Sequence, residues 1–373
     1  MCMAHCISSL PPIREMALPV LNVNAETHFA YLDSGAPNTH AYKTIFVVHG
    51  IAFNASTSIP VFTALSILTS FTEVFQKVVE LAPASSVRIV AMNRSDYPGS
   101  STVSEKELSL LSGSEDDCAL YLSNRGADVL AFVDRFIQEY RLPAISEDGQ
   151  TGGVAILGWS LGSSFAIAAL ASALKADSAV QSRLAKYIRA LILEDPASVA
   201  LGIPMPELNW APGLDESIPP QERLPFNIAW LSSYFDHGDL SKRDPKTLTY
   251  ASPSIARVPS IYSMYPQYSE IVDVAPLMGS DGLHMAKLGG PSRHVYEQVF
   301  FGKDIRALLP RLKVWVMGRE QSGWFGITTF WQVQDDNAKY GGNVNLEMFP
   351  KTNHFVHWDD PEMAIASWKK ALA

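Results

Sequence analysis

A mostly parallel, doubly wound α/β sheet with an inserted helical cap is the fold this sequence predicts. Three observations lead there. Short unbroken apolar runs recur along the chain, as strands buried on both faces require. Segments with apolar residues at helical spacing separate most of them. One late interval breaks the alternation and is too long to be a loop.

Taken in order, Ala17 to Val23 and Thr27 to Leu32 read as two strands joined at Asn22-Val23-Asn24-Ala25, an antiparallel start to the sheet. Lys43 to Val48 is a buried strand ending in His49-Gly50, and Ile59 to Leu81 reads as a long helix. Thr63, Ser66, Thr69, Ser70, Thr72 and Glu73 interrupt its most apolar part. That makes it a core helix, since a membrane span needs about 20 apolar residues. Val87 to Met92 is a strand, followed by the turn-rich Asn93 to Ser100 and a polar stretch to Asp117. A helix is expected from Asp116 to Tyr140, then a strand over Val154 to Leu157, then Gly158-Trp159-Ser160-Leu161-Gly162 and a small-residue helix. Further strands are expected at Ala190 to Leu193, Leu312 to Met317 and Val344 to Met348. Asp360-Pro361-Glu362 opens the last helix with an N-cap carboxylate and a proline at its first position, and Lys369 and Lys370 lie in its last turn.

The interval between the strands near Glu194 and Leu312 is rich in proline and in bulky groups such as Trp210, Phe226, Trp230, Tyr234, Tyr262 and Met285. It reads as a helical cap set over the carboxyl end of the sheet, with some of its aromatic residues lining an apolar pocket. The expected organisation is a loose tail over residues 1–15, a core made of 16–196 and 309–373, and a cap over 197–308.

With 373 residues, 47% of them hydrophobic, the chain has ample material for a large core. A net charge of −9 supplies no basic footprint for nucleic acid or an anionic membrane. Cys2, Cys6 and Cys118 make no disulfide framework, and the N-terminus lacks a basic segment followed by an apolar one. A soluble, cytoplasmic protein is expected. No metal-ligand spacing and no glycine-rich phosphate loop is present, so neither metal nor cofactor is implied.

Strand, G-x-S-x-G and helix in succession form a nucleophile-elbow pattern. Ser160 then sits on a strained turn at a strand end, and the flanking glycines leave room that a Cβ would fill. The turn aims the Leu161 N–H and the following helix N-terminus at a reacting carbonyl. A serine hydroxyl needs a base, itself oriented by an acid. His354, on the loop between the last strand and the last helix, is the first choice of base, and His357 is its competitor. For the acid the first choice is Glu320, after the strand Leu312 to Met317, and the alternative is Asp195, after Ala190 to Leu193. A second oxyanion donor is expected in His49-Gly50-Ile51-Ala52-Phe53, from the Ile51 or Ala52 N–H, with His49 as a hydrogen-bonder of the loop.

Together, His49-Gly50, the segment Asn93-Arg94 to Tyr97-Pro98-Gly99-Ser100, Gly158 to Gly162, and Asn353-His354-Phe355 with Asp360-Pro361 resemble the α/β-hydrolase superfamily. The resemblance implies Ser160 as nucleophile, His354 as base, and Ile51 with Leu161 as oxyanion donors. The family often shows Gly-x-x-Asp after the penultimate strand. Here Gln321 holds that place and Glu320 stands one early. Some lipase-like members carry the acid after the preceding strand, in a context comparable to Glu194-Asp195-Pro196-Ala197. Serine at the elbow argues against the haloalkane dehalogenases and epoxide hydrolases, which resemble the family but use aspartate. The expected activity is hydrolysis of an ester, thioester or lactone of a fairly apolar small molecule through an acyl-enzyme on Ser160. Acyl transfer, carbon–carbon cleavage or elimination with the same triad is the alternative, as is a non-catalytic ligand receptor.

Overall fold

The computed structural model describes residues 18–39, 41–52, 74–264 and 272–373. Eight strands in these residues form one sheet: β1 (Val20–Asn22), β2 (His28–Asp33), β3 (Lys43–Val48), β4 (Val87–Met92), β5 (Val154–Trp159), β6 (Ile188–Glu194), β7 (Lys313–Arg319) and β8 (Val344–Phe349). Their spatial order is β1-β2-β4-β3-β5-β6-β7-β8. β1 pairs antiparallel with β2 and β2 antiparallel with β4, while every pair from β4 to β8 is parallel. After β3 the chain goes first to one side, as β4, and then to the other, as β5. That reversal makes the carboxyl ends of β3 and β5 a topological switch point, where open α/β sheets form a crevice.

Helices flank both faces. Gly162–Ala173 is buried at every position, as a helix apolar all round must be. It lies between the sheet and Glu115–Glu139, whose Ser114 and Asp117 form a reciprocal capping box. The last helix, Pro361–Ala371, begins at Asp360, whose carboxylate accepts from the Met363 N–H at 3.0 Å. Three helices were not legible as such: Glu105–Leu110 inside the polar stretch, Ser178–Tyr187 before β6, and Trp324–Tyr340 between β7 and β8. The expected tail 1–15 and the first part of the long helix expected at Ile59 to Leu81 lie outside the described residues. Gln76–Leu81 is helical.

Between β6 and β7 the structure holds the helices Pro220–Leu231, Ser260–Met264, Val274–Met278, Ser280–Lys287, Gly289–Phe301 and Lys303–Leu308. The aromatics of this interval do not keep to a core of their own. Trp230, Phe235, Tyr296 and Phe300 are buried in the same apolar cluster as Ile156, Leu191 and Val316 of the sheet. Others face outward, among them Phe226 and Tyr262.

One ion pair ties β6 to β7. Arg319, at the end of β7, and Glu194, at the end of β6, are both fully buried, with Nη2 donating to Oε2 at 2.6 Å and Nε to Oε1. Trp368 Nε1 donates to the same carboxylate at 2.7 Å, and Arg319 also donates to Ser367 Oγ at 3.0 Å. The last helix is thereby fastened to two strand ends. Arg319→Met strands a buried carboxylate with one remaining donor, and it is expected to lower stability by about 3–5 kcal/mol, read as a fall in the urea midpoint.

Candidate active site

Five strand ends build the site, and the register sets them level. Val48 pairs with Gly158, Trp159 with Glu194, Glu194 with Met317, and Arg319 with Phe349. The residues that follow β3, β5, β6, β7 and β8 therefore emerge along one edge.

Ser160 follows β5 with φ 53°, a left-handed backbone that a non-glycine residue adopts at a cost of about 1–3 kcal/mol. Its N–H donates to Glu194 O at 3.1 Å, which anchors the turn to the neighbouring strand. The glycines on either side are required by crowding. A Cβ on Gly158 would lie 2.5 Å from Ser163 Cα, and one on Gly162 would lie 2.2 Å from Val48 O. Gly50 passes so near the serine that a Cβ there would lie 2.9 Å from Ser160 Cβ, which puts the loop after β3 beside the nucleophile candidate.

His354 lies on the loop after β8. Its Nδ1 donates to Asp195 Oδ2 at 2.6 Å. Since a carboxylate only accepts, that bond holds the proton on Nδ1 and leaves Nε2 as an acceptor. The elbow itself grips the histidine loop, because Trp159 Nε1 donates to His354 O at 2.9 Å and the two rings lie 5.0 Å apart. Asp195 follows β6 with φ 44°, and its N–H donates to Met317 O at 2.8 Å. Ser322 Oγ donates to the same Oδ2 that His354 uses, while His237 Nε2 donates to Ser322 O at 2.7 Å. Asn353, next to the histidine, donates to Ser260 Oγ at 2.8 Å and to Ser232 O at 3.0 Å, fastening the loop to the segment between β6 and β7.

Glu320, the first choice of acid, is not at His354. Its N–H donates to Phe349 O and its carboxylate accepts from the Lys351 N–H, both at 3.0 Å, so it closes the turn after β8. The reason is the strand order. β7 lies one strand further from the elbow than β6, and the histidine loop passes over it to reach Asp195. Nor is Arg319 the partner of Glu320, since its charge is met by Glu194. The histidine competitor is displaced as well. His357 is buried, stacked on Phe75 at 4.4 Å and edge-on to Trp159 at 4.6 Å, without a hydrogen-bond partner among the described residues. Burial, then the neighbouring His354 and Arg319, holds its pKa well below the usual range.

In the loop after β3, His49 Nδ1 donates to Gly50 O at 2.8 Å and His49 Nε2 accepts from the Arg94 N–H at 3.1 Å. It is a hydrogen-bonder of the loop, as expected. The Ala52 N–H, one of the two oxyanion candidates there, donates to Tyr97 OH at 2.9 Å. The Ile51 and Leu161 N–H groups have no acceptor among the described residues. Sequence reasoning missed Trp159, Ser322 and His237. Trp159 lies inside the motif, but nothing in the order of residues says that its ring reaches a loop 195 positions away.

The sequence profile described as "Alpha/beta hydrolase family" matches residues 45–368. The chain belongs to the α/β-hydrolase family. Solved structures of similar fold include a thioesterase domain from the curacin biosynthetic pathway, 15% identical, covering 95% of this chain and 99% of that one at a TM-score of 0.46. A carboxylesterase structure from the thaumarchaeon Nitrososphaera gargenis is 12% identical, covering 95% and 97% at 0.48. Est816, described as an N-acyl homoserine lactone degrading enzyme, is 11% identical, covering 94% and 99% at 0.50. At these identities the likeness is one of fold. No curated protein matches the sequence. Among the described residues, no helix is long and apolar enough to cross a membrane.

Two buried histidines give the site's surroundings a pH signature. Burial lowers His284 to about 4 and His357 well below its usual value, so both stay neutral in the fold while the unfolded chain protonates near 6.5. The unfolded state then binds more protons, and stability is full above about 6.5 and lost as pH falls below it. The slope approaches about 1.4 kcal/mol per pH unit for each histidine. Urea unfolding between pH 7 and 5 is expected to show this loss, and His357→Phe to remove one histidine's share.

Proposed function

We propose that this α/β-hydrolase is a serine hydrolase cleaving an ester, thioester or lactone of a fairly apolar small molecule, with Ser160, His354 and Asp195 as the triad. The observation that carries the reading is the 2.6 Å bond from His354 Nδ1 to Asp195, beside a serine held at φ 53°. A bound and oriented imidazole with an unprotonated Nε2 is what a weak hydroxyl nucleophile needs.

In this mechanism Ser160 Oγ attacks the carbonyl carbon and its proton passes to His354 Nε2. Asp195 holds the imidazole in the right tautomer and stabilises the cation that forms. The oxyanion accepts hydrogen bonds from the Ile51 and Leu161 N–H groups, the latter at the first turn of Gly162–Ala173, where the helix dipole adds positive potential. As the tetrahedral species collapses, His354 gives its proton to the departing alcohol or thiol, leaving the acyl group on Ser160. Water then attacks with His354 again as base, the acid departs, and the serine is restored. The segment 197–308 acts as the cap that shapes the acyl pocket. Its hold on the histidine loop through Ser232 and Ser260 supports that role.

Labelling with a fluorophosphonate is expected to modify Ser160 alone and to fail in Ser160→Ala; an intact, folded protein that takes no label would sink the reading. Among the acids, Asp195→Asn is expected to lower kcat on p-nitrophenyl esters by about 10⁴-fold. Glu320→Gln is expected to leave it unchanged.

A further inference from the structure

Outside the triad, a buried cluster ties the loop after β3 to the helix Ser280–Lys287. Arg94, from the turn after β4, is buried and reaches into that loop, with Nη2 donating to Gly50 O at 2.9 Å and Nε to His49 O at 3.1 Å. The same guanidinium makes a two-pronged pair with Asp281, Nη1 to Oδ1 and Nη2 to Oδ2, each at 2.7 Å. Tyr97 completes the cluster: its hydroxyl donates to Asp281 Oδ2 at 2.7 Å and accepts from the Ala52 N–H at 2.9 Å. All three side chains are buried, and Arg94 lies over the Phe165 ring at 4.4 Å. Burial alone raises the Asp281 carboxyl, but the Arg94 charge and the hydrogen bonds outweigh that and hold it below its ordinary value.

The planarity of the peptide unit turns this cluster into an aiming device. Gly50 O and the Ile51 N–H belong to one trans peptide, in which carbonyl and N–H point in opposite directions. Two donors, Arg94 Nη2 and His49 Nδ1, grip that carbonyl. The Ile51 N–H is therefore held pointing the other way. Tyr97 meanwhile occupies the next N–H in the loop, that of Ala52, which sits at a strained φ of 63°. Asp273, from the same segment as Asp281, donates its N–H to Ala52 O at 2.7 Å. Nothing in the triad requires a buried carboxylate on the segment between β6 and β7, yet it is the counter-charge without which Arg94 would not stay buried against two carbonyls.

We propose that Asp281 is a positioning residue for catalysis: through Arg94 and Tyr97 it aims the Ile51 N–H, so that the oxyanion site is complete only when the helix Ser280–Lys287 is docked. This rests on the serine-hydrolase reading above. An aimed donor acts on the transition state and leaves ground-state binding alone, so its loss lowers kcat and spares KM. A cluster that serves only stability would lower the melting temperature and leave the kinetics of the folded fraction unchanged.

The test uses Asp281→Asn, which keeps the shape and removes the charge, and Tyr97→Phe, which removes one hydroxyl and keeps the ion pair. Each is compared with wild type and Ser160→Ala for p-nitrophenyl butyrate turnover, for inhibition by an alkyl boronic acid that mimics the tetrahedral species, and for folding by circular dichroism. Asp281→Asn is expected to lose about 10- to 100-fold in kcat at nearly constant KM, with boronate affinity falling in parallel. Tyr97→Phe is expected to lose less in the same pattern, and it carries the test if Asp281→Asn does not fold. Folded variants with wild-type kcat and boronate affinity overturn the positioning role while the triad stands. Turnover that survives Ser160→Ala overturns the triad instead.

Discussion

Parallel pairing brings the carboxyl ends of β3, β5, β6, β7 and β8 to one edge at one level, and the candidate site depends on that register. Each strand hands over a short segment at the same height: the loop that carries the Ile51 N–H, a serine, an aspartate, a serine hydroxyl donor and a histidine. Four of the residues at these exits, Ala52, Ser160, Asp195 and Lys351, have left-handed backbones. Strain of about 1–3 kcal/mol at each needs a surrounding structure that over-determines it. The sheet supplies it through bonds such as Ser160 N–H to Glu194 O and Asp195 N–H to Met317 O. The turns at Ser160 and Asp195 are thus held by the neighbouring strands.

Consecutive carboxylates at the end of β6 have different tasks. Glu194, the last residue of β6, turns toward Arg319 and the last helix, while Asp195, in the left-handed turn that follows, turns toward His354. One fixes the strand ends, and the other accepts a hydrogen bond from the His354 imidazole. A buried ion pair adds little net stability over an apolar pair, but losing either half is costly. The Glu194–Arg319 pair therefore acts chiefly as a constraint on where the ends of β6 and β7 lie. A misplacement there would be felt one residue later, at Asp195.

The segment between β6 and β7 packs as part of the core and reaches the site from two sides. Ser232 and Ser260 hold the histidine loop through Asn353, and Asp273 and Asp281 hold the loop after β3. Tyr234 and Ser260 both donate to Asp359, just past the histidine. The same stretch of chain thus holds both the histidine loop and the loop after β3.

Much of this was legible in the order of residues. The apolar runs locate the strands, because a parallel strand buried on both faces has no polar alternation to hide it. The elbow around Ser160 and the proline-opened last helix are local patterns whose physics is complete within a few residues. His354 follows from lying between the last strand and that helix. What stayed hidden depends on contacts between distant segments. Glu320 and Asp195 look equivalent in sequence, each an acid after a strand, and only the order of strands across the sheet puts Asp195 within reach of His354. Arg319 and Glu194 each stand next to one of those two carboxylate positions, and only their burial together shows that neither belongs to the histidine. The Arg94–Asp281 pair spans 187 positions and no local rule announces it. Local propensity and hydrophobic pattern determined the strands, the longer helices around the elbow and at the chain's end, and the serine; proximity through space decided which acid, which histidine and which N–H groups meet them.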